Sequence, residues 1–157
     1  MKVSKNFSLK ELTKTECRID NIPDSRALMN IAVLSAKILQ PCREEFGPIR
    51  VTSCFRSVEV NKAIGGSETS DHCAAGTAAA ADFEVISEEI SNLQLAQWIS
   101  ENLTWKQLLL EFYDPEEGPN SGWVHCSYDI AGDNREEIKT VRKVNGKTKY
   151  LEGFVIE

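Results

Sequence analysis

The spacing of hydrophobic positions divides the chain into an N-terminal helical part and a later part built of strands. Apolar residues recur at helical spacing over 25–46, and Pro41 should kink or divide this helix near Gln40. A short helix should begin at Ser8, because Ser8-Leu9-Lys10-Glu11 has the form of a capping box. Two further helices are predicted over 58–64 and 91–103.

Apolar runs rich in β-branched residues predict four strands and a terminal hairpin. The strands are predicted over 49–55, 80–86, 107–113 and 123–128, with a loop over 67–79. Asn145-Gly146 is a strong hairpin signal between strands at 139–144 and 147–151. We therefore predict an α+β fold, with N-terminal helices packed on a small, mainly antiparallel sheet. The chain, 1–157, should form one domain with a core over about 7–128 and a C-terminal hairpin over about 137–152.

Composition limits the partners and the compartment. The formal net charge is −6, which argues against a nucleic-acid partner, because phosphate binding needs a basic surface. No segment reaches the roughly 18–20 apolar residues that span a bilayer, and no secretory signal is visible. Five cysteines without a pairing pattern indicate reduced thiols. We expect a protein made in the cytoplasm, without a membrane partner.

The chain contains only two histidines, and both lie in segments suited to a metal site. His72 lies in the predicted loop 67–79, and His125 lies on the last predicted strand. Asp82 interrupts an apolar strand, where an unpaired carboxylate would be costly. Two imidazoles, one carboxylate and an open fourth position make a catalytic zinc site rather than a structural one. Alternatively, His125 is a satisfied core histidine, His72 a surface residue, and Asp82 a carboxylate bonded to the backbone or to Arg56.

Glu111 and Arg56 are the candidates for catalysis beside such a metal. If the strand carrying Glu111 pairs with the strand carrying His125, its carboxylate can take a proton from an activated water and pass it to the leaving group. Arg56 directly follows a strand and can bind a carboxylate or stabilise an oxyanion. Ser70 could orient Arg56 or a substrate carbonyl. Alternatively, Glu111 and Arg56 form surface ion pairs with Lys106 and Glu59.

Five short segments occur in an order that is specific when they are taken together. They are Val51-Thr52-Ser53-Cys54-Phe55-Arg56-Ser57, Asn61-Lys62-Ala63-Ile64-Gly65-Gly66-Ser67, Ser70-x-His72, Ala80-x-Asp82 and Trp123-Val124-His125-Cys126-Ser127. The chain resembles the zinc D-Ala-D-Ala peptidase family, which includes D-alanyl-D-alanine carboxypeptidases and phage L-alanyl-D-glutamate endopeptidases. The resemblance covers residues from about Phe7 to about Tyr128 and is greatest to the short, single-domain type common in bacteriophages.

This resemblance implies a fold of the Hedgehog/DD-peptidase type and one zinc ion bound by His72, Asp82 and His125. It implies that Arg56 binds the substrate or stabilises the oxyanion. The implied substrate is the peptide stem of bacterial peptidoglycan. We expect a monomer that acts on the cell wall after release from the cytoplasm, as a lysis enzyme or a virion component.

Two departures from the family pattern concern the spacing and the general base. The family usually has His-x-x-Gly-x-Ala-x-Asp, whereas His72 and Asp82 are ten residues apart, and the extra residues should bulge as a loop. Many members place the general base three residues before the last histidine, where this chain has Gly122. We therefore assign the base to Glu111. Weaker candidates lie in the adjoining loop: Asp114, Glu116 and Glu117.

The sequence favours a zinc peptidase over two other functions. Gly122 and the longer interval after His72 are the features that favour a non-catalytic structural or wall-binding module on the same fold. A thiol enzyme using Cys73 or Cys126 would need a histidine that the metal site already takes.

Overall fold

A computed structural model describes all residues, 1–157, as a six-stranded sheet with helices packed on one face. The α-helices are α1 (Leu9–Leu12), α2 (Ser25–Leu34), α3 (Gln40–Phe46), α4 (Val58–Ala63) and α5 (Asn92–Asn102). The strands are β1 (Ile49–Ser53), β2 (Ala78–Val85), β3 (Gln107–Glu111), β4 (Trp123–Asp129), β5 (Glu137–Val144) and β6 (Lys147–Glu152). Their order is β1-β2-β4-β3-β5-β6, and only the β3–β5 pair is parallel. The mixed α+β architecture and the mainly antiparallel sheet are confirmed.

Side-chain caps and one proline set the helix boundaries. The Ser8 hydroxyl accepts from the Glu11 N–H at the start of α1, and Asp24 caps α2 in the same way. A π-helical turn, Ser35–Leu39, joins α2 to α3, as expected from a division near Gln40. There the Gln40 N–H donates to the Ser35 carbonyl, five residues back, just before Pro41, which has no N–H. None of the helices combines the length and apolar composition needed to cross a bilayer.

Alternation along the strands separates a core face from a polar face. The core face packs against α2, α3 and α5 and carries these buried residues: Val51, Ala79, Ala81, Phe83, Leu108, Leu110, Val124 and Cys126. Successive strand residues point to opposite faces, so Asp82, Leu109, Glu111 and His125 lie together on the other face. The sheet thus uses one face for stability and leaves the other for chemistry.

Some predicted boundaries are wrong by two residues. β1 ends at Ser53, because a bulge between Val51 and Ser53 breaks its regular pairing with β2. β2 begins at Ala78 rather than at residue 80, and β3 ends at Glu111, because Phe112 has a φ of +54°. The predicted C-terminal hairpin forms and extends the sheet, with β5 running parallel to β3.

Candidate active site

Three potential metal ligands converge on the polar face of the sheet. Asp82 on β2 lies directly opposite His125 on β4, which follows from the antiparallel register of these strands. A 3-10 turn, Asp71–Cys73, brings His72 to the same place and is capped by the Ser70 hydroxyl, which accepts from the His72 N–H. One ligand atom from each of the three residues lies within 4.8 Å of the other two. The structure therefore brings together the three residues that the sequence indicated.

The hydrogen bonding of His72 shows that a cation fits this cluster. Its Nδ1 lies 2.7 Å from the Cys54 carbonyl oxygen, which can only accept, so Nδ1 carries the proton. In the neutral ring, Nε2 therefore presents a lone pair to the Asp82 Oδ1, 3.2 Å away. The His125 Nδ1 lies 2.8 Å from the same oxygen. Two imidazole nitrogens and one carboxylate oxygen this close together are a donor set that Zn²⁺ prefers.

The protonation of these groups agrees with metal binding. Burial alone would raise the pKa of Asp82, but the charges and hydrogen bonds of His72 and His125 lower it well below its usual range. Burial lowers the pKa of His72. Burial also opposes charge on His125, but the hydrogen bond and charge of Asp82 outweigh it and raise that pKa. These directions favour an ionised Asp82 and a neutral His72, and a metal would compete with a proton for His125.

Arg56 holds the outer oxygen of Asp82. Its Nη2 donates to the Asp82 Oδ2 at 3.2 Å, and its Nε donates to the Ser53 Oγ at 3.0 Å. The bulge in β1 places Ser53 opposite Asp82, which lets the serine orient the guanidinium. Sequence reasoning gave this orienting role to Ser70 and overlooked Ser53. The alternative partner of Arg56, Glu59, is not used, because the guanidinium pairs with Asp82.

Glu111 lies beside the cluster, at the end of β3. Its neighbour across the sheet is Trp123, whose indole Nε1–H donates to the Glu111 carboxylate. Burial and the charge of Asp82 raise the pKa of Glu111, so its carboxyl group holds a proton more readily than an exposed one. Lys106, the alternative partner of Glu111, instead binds Asp71 at 2.9 Å. Trp123 was missed as a site residue, although its position two residues before His125 puts both on one face.

A polar cleft of about 590 Å³ contains this cluster. Its lining includes Arg56, Ser70, His72, Asp82, Glu111 and His125, together with Asp71, Lys106, Glu137 and Tyr150. The loop acids considered as alternative bases, Asp114, Glu116 and Glu117, are not among the lining residues. Among the acids of residues 111–117, Glu111 alone therefore lines the cleft with His72, Asp82 and His125.

The cysteines offer no comparable chemistry. All five are unpaired, as expected for reduced thiols. Cys126 is buried in the core, and burial raises its thiol pKa well above the ordinary value. Burial also raises the pKa of Cys73. Neither thiol is poised as a thiolate nucleophile.

Comparison with known protein families agrees with this geometry. A family model described as Peptidase M15 matches residues 5–127. The chain belongs to the peptidase M15 family. Peptidases of this family are zinc-dependent, in agreement with the cluster of two histidines and one aspartate in this M15 chain. A search of curated proteins finds no significant match.

A short loop and the first half of β2 fill most of the interval between His72 and Asp82 in this M15 chain. Only residues 74–77 form the loop, and the strand then runs four residues before it reaches Asp82. Ala74 turns the chain with a φ of +50°. The buried Asn30 of α2 donates from Nδ2 to the Ala74 and Gly76 carbonyl oxygens, at 3.0 and 2.9 Å. The loop over residues 74–77 is therefore held in place by α2.

Tight packing leaves no space for an acidic side chain at Gly122, three residues before His125 in this M15 chain. Its φ is +61°, and a Cβ there would lie 2.2 Å from the Glu111 carbonyl oxygen and 2.6 Å from the Phe112 carbonyl carbon. Any side chain would therefore displace the end of β3. The close approach of Gly122 to the end of β3 is compatible with an acid at 111, on the face that carries Asp82 and His125, and not with a side chain at 122.

We expect Gly122→Ala to lower the free energy of unfolding by about 2–4 kcal/mol, because it adds a backbone collision to a left-handed conformation. Urea denaturation measures this change. Gly65→Ala is the matched control, since Gly65 has a φ of +74° but open space around its Cβ position. The free energy of unfolding of the control should fall by about 1–2 kcal/mol. Equal losses in the two variants would show that the contact with β3 is unimportant.

Proposed function

We propose that the chain is a zinc peptidase that hydrolyses the peptide stem of bacterial peptidoglycan, next to a D-amino acid. The bond would be that of a D-Ala-D-Ala carboxypeptidase or an L-Ala-D-Glu endopeptidase. We also propose that the fold is of the Hedgehog/DD-peptidase type and that the protein serves a phage in lysis or in the virion. The observation that carries the proposal is the convergence of His72, Asp82 and His125 beside Glu111 in an M15 chain.

Each polar residue of the cleft has a distinct role in this reaction. His72, Asp82 and His125 would hold the zinc ion, which when bound supplies Lewis acidity to a carbonyl and lowers the pKa of water. Glu111 would accept the proton of the attacking water and give it to the leaving amine. The Trp123 indole fixes the direction of the carboxylate throughout.

Arg56 and Ser70 would act on the substrate side. Two of the N–H groups of Arg56 hold Ser53 and Asp82, while the guanidinium edge that lines the cleft can donate to the scissile carbonyl oxygen. Ser70 also lines the cleft, where its hydroxyl can bind a backbone group of the peptide. Both residues are held by the framework of the site, so little ordering is needed when the substrate binds.

Hydrolysis of a soluble synthetic stem peptide tests the proposal. Zinc-loaded protein should cleave L-Ala-γ-D-Glu-L-Lys-D-Ala-D-Ala at one bond, and mass spectrometry of the products identifies which. Release of D-Ala indicates a carboxypeptidase, and release of L-Ala indicates an endopeptidase. The matched substrate with L-residues in place of the D-residues should stay intact. If folded, zinc-loaded protein cleaves neither peptide, the enzymatic proposal fails, and a wall-binding role on the same fold takes its place.

A further inference from the structure

The hairpin formed by β5 and β6 concentrates positive charge in an acidic protein. Residues 139–149 contain five basic residues and no acidic one, and the five are Lys139, Arg142, Lys143, Lys147 and Lys149. The whole chain has 18 basic and 24 acidic residues, so 13 basic and 24 acidic residues lie outside this segment. This segment therefore has a formal charge of +5 and the rest of the chain −11. Lys139 pairs with Glu137 and Glu152 at the base of the hairpin, so the unpaired basic residues are the four nearer its tip. Such asymmetry favours an anionic partner for the segment.

The charged part of the hairpin projects beyond the sheet. β5 pairs with β3 only from Glu137 to Val141, and after Val141 its pairing partner is β6 alone. Asn145 and Gly146 close the turn with φ values of +51° and +75°. The side chains of Lys143, Lys147 and Lys149 are exposed. An extended partner can therefore approach the tip from either face.

Two residues of like charge face each other across the hairpin, which destabilises it. Arg142 lies directly opposite Lys149, and like charges at such positions repel each other. Arg142, Lys143 and Lys149 form no ion pair with a carboxylate side chain. Arg142 donates to the main-chain oxygen of Glu157, and Lys143 donates to the Thr148 hydroxyl. An anion bound from outside would relieve this repulsion.

The basic hairpin is continuous with the cleft that contains the metal ligands. Glu137 and Tyr150, one from each of its strands, line that cleft. Tyr150 lies opposite Val141, which in turn lies opposite Glu111, so these three residues share one face of the sheet. Lys143 lies on this same face, whereas Lys147 and Lys149 lie on the other one, so a polymer with one stem peptide in the cleft would reach Lys143 first and the other two lysines around the exposed tip. The family match ends at residue 127, before the hairpin begins.

We propose that residues 139–149, the basic hairpin, form a docking surface for peptidoglycan, a polymer whose stem peptides carry repeated carboxylates. The positive charge of the hairpin indicates a polyanionic partner. That this partner is peptidoglycan rests on the proposed function. Electrostatic docking would hold the enzyme on the insoluble wall between successive cleavages. It would also weaken as salt rises, because the Debye length is only about 10 Å at 0.1 M.

Co-sedimentation with purified peptidoglycan, stripped of attached phosphate polymers, tests this inference. The full-length variant K143E/K147E/K149E should bind with a Kd at least about tenfold higher than the unaltered protein at low ionic strength. Amidation of the wall carboxylates should raise the Kd of the unaltered protein for peptidoglycan to a similar degree. The matched control K5E/K10E/K14E reverses three exposed lysines on the body and should change the Kd less than about twofold.

Three results would overturn the inference. The first is an equal loss of binding in both triple variants, which would mean that only net charge matters. The second is binding that is insensitive to amidation. The third is binding of the unaltered protein to phosphatidylglycerol vesicles but not to peptidoglycan, which would assign the hairpin to a membrane surface. The soluble stem peptide assay of the unaltered protein tests the proposed function separately, because the peptide is too short to fill the cleft and the hairpin together.

Discussion

Replacing His125 with alanine should remove both zinc binding and hydrolysis. The substitution takes one of three donor atoms from a site with no fourth protein ligand, so the affinity for zinc should fall by about a hundredfold or more. Hydrolysis of a stem peptide should fall about a thousandfold, since the metal contributes several kcal/mol to the transition state. His72→Ala and Asp82→Asn should behave in the same way. Elemental analysis after dialysis and initial rates measure the two effects.

Glu84→Gln is the matched control for these ligand variants. Glu84 lies on β2, two residues after Asp82, and forms an ion pair with Arg50 outside the cleft. Its loss should change the free energy of unfolding by less than about 1 kcal/mol and leave zinc content intact. A ligand variant that keeps stoichiometric zinc after dialysis, while remaining folded, would show that the metal binds elsewhere.

Glu111→Gln should separate catalysis from metal binding. The amide keeps the size of the side chain and can still accept from the Trp123 indole, but it cannot take a proton. We therefore expect zinc content to stay at one ion per chain while the rate of hydrolysis falls by about a hundredfold to ten-thousandfold. Measurement of kcat and KM should assign this loss to kcat, because the substituted group acts on the reacting atoms.

Glu116→Gln tests whether the base has been assigned to the right acid. Glu116 lies in the loop between β3 and β4, in the same stretch of acids, but it does not line the cleft. This variant should keep most of the activity. A larger loss in Glu116→Gln than in Glu111→Gln would move the proton-transfer role to the loop.

The sequence was a good guide wherever one residue carried a strong local preference. Ser8, Asn145 and Gly146 each determine a cap or a turn through their own backbone and side-chain chemistry, and those elements are present. Strand alternation likewise predicts that Cys126 points away from His125 into the core, and Cys126 is fully buried. These features depend on near neighbours in the chain, so one sequence is enough to find them.

Features that depend on contacts between distant elements were missed. The bulge that aligns Ser53 with Arg56 depends on how β1 pairs with β2, which no local pattern records. The start of β2 was misplaced because Ala78 and Ala79 have low intrinsic strand preference, and pairing with β4 overrides it. The parallel contact of β5 with β3 joins segments about thirty residues apart. It brings Tyr150 to the cleft, which residue spacing alone could not reveal.

Digestion of purified peptidoglycan by zinc-loaded protein, before and after removal of the metal, distinguishes a zinc peptidase from a protein that only binds the wall. We expect stem-peptide fragments in mass spectra from the loaded protein, none after chelation, and full recovery on addition of one equivalent of zinc. The Glu111→Gln variant, loaded in the same way, should release almost none. Fragment release that persists after complete removal of zinc, or no release from a folded, zinc-loaded protein, would contradict the account.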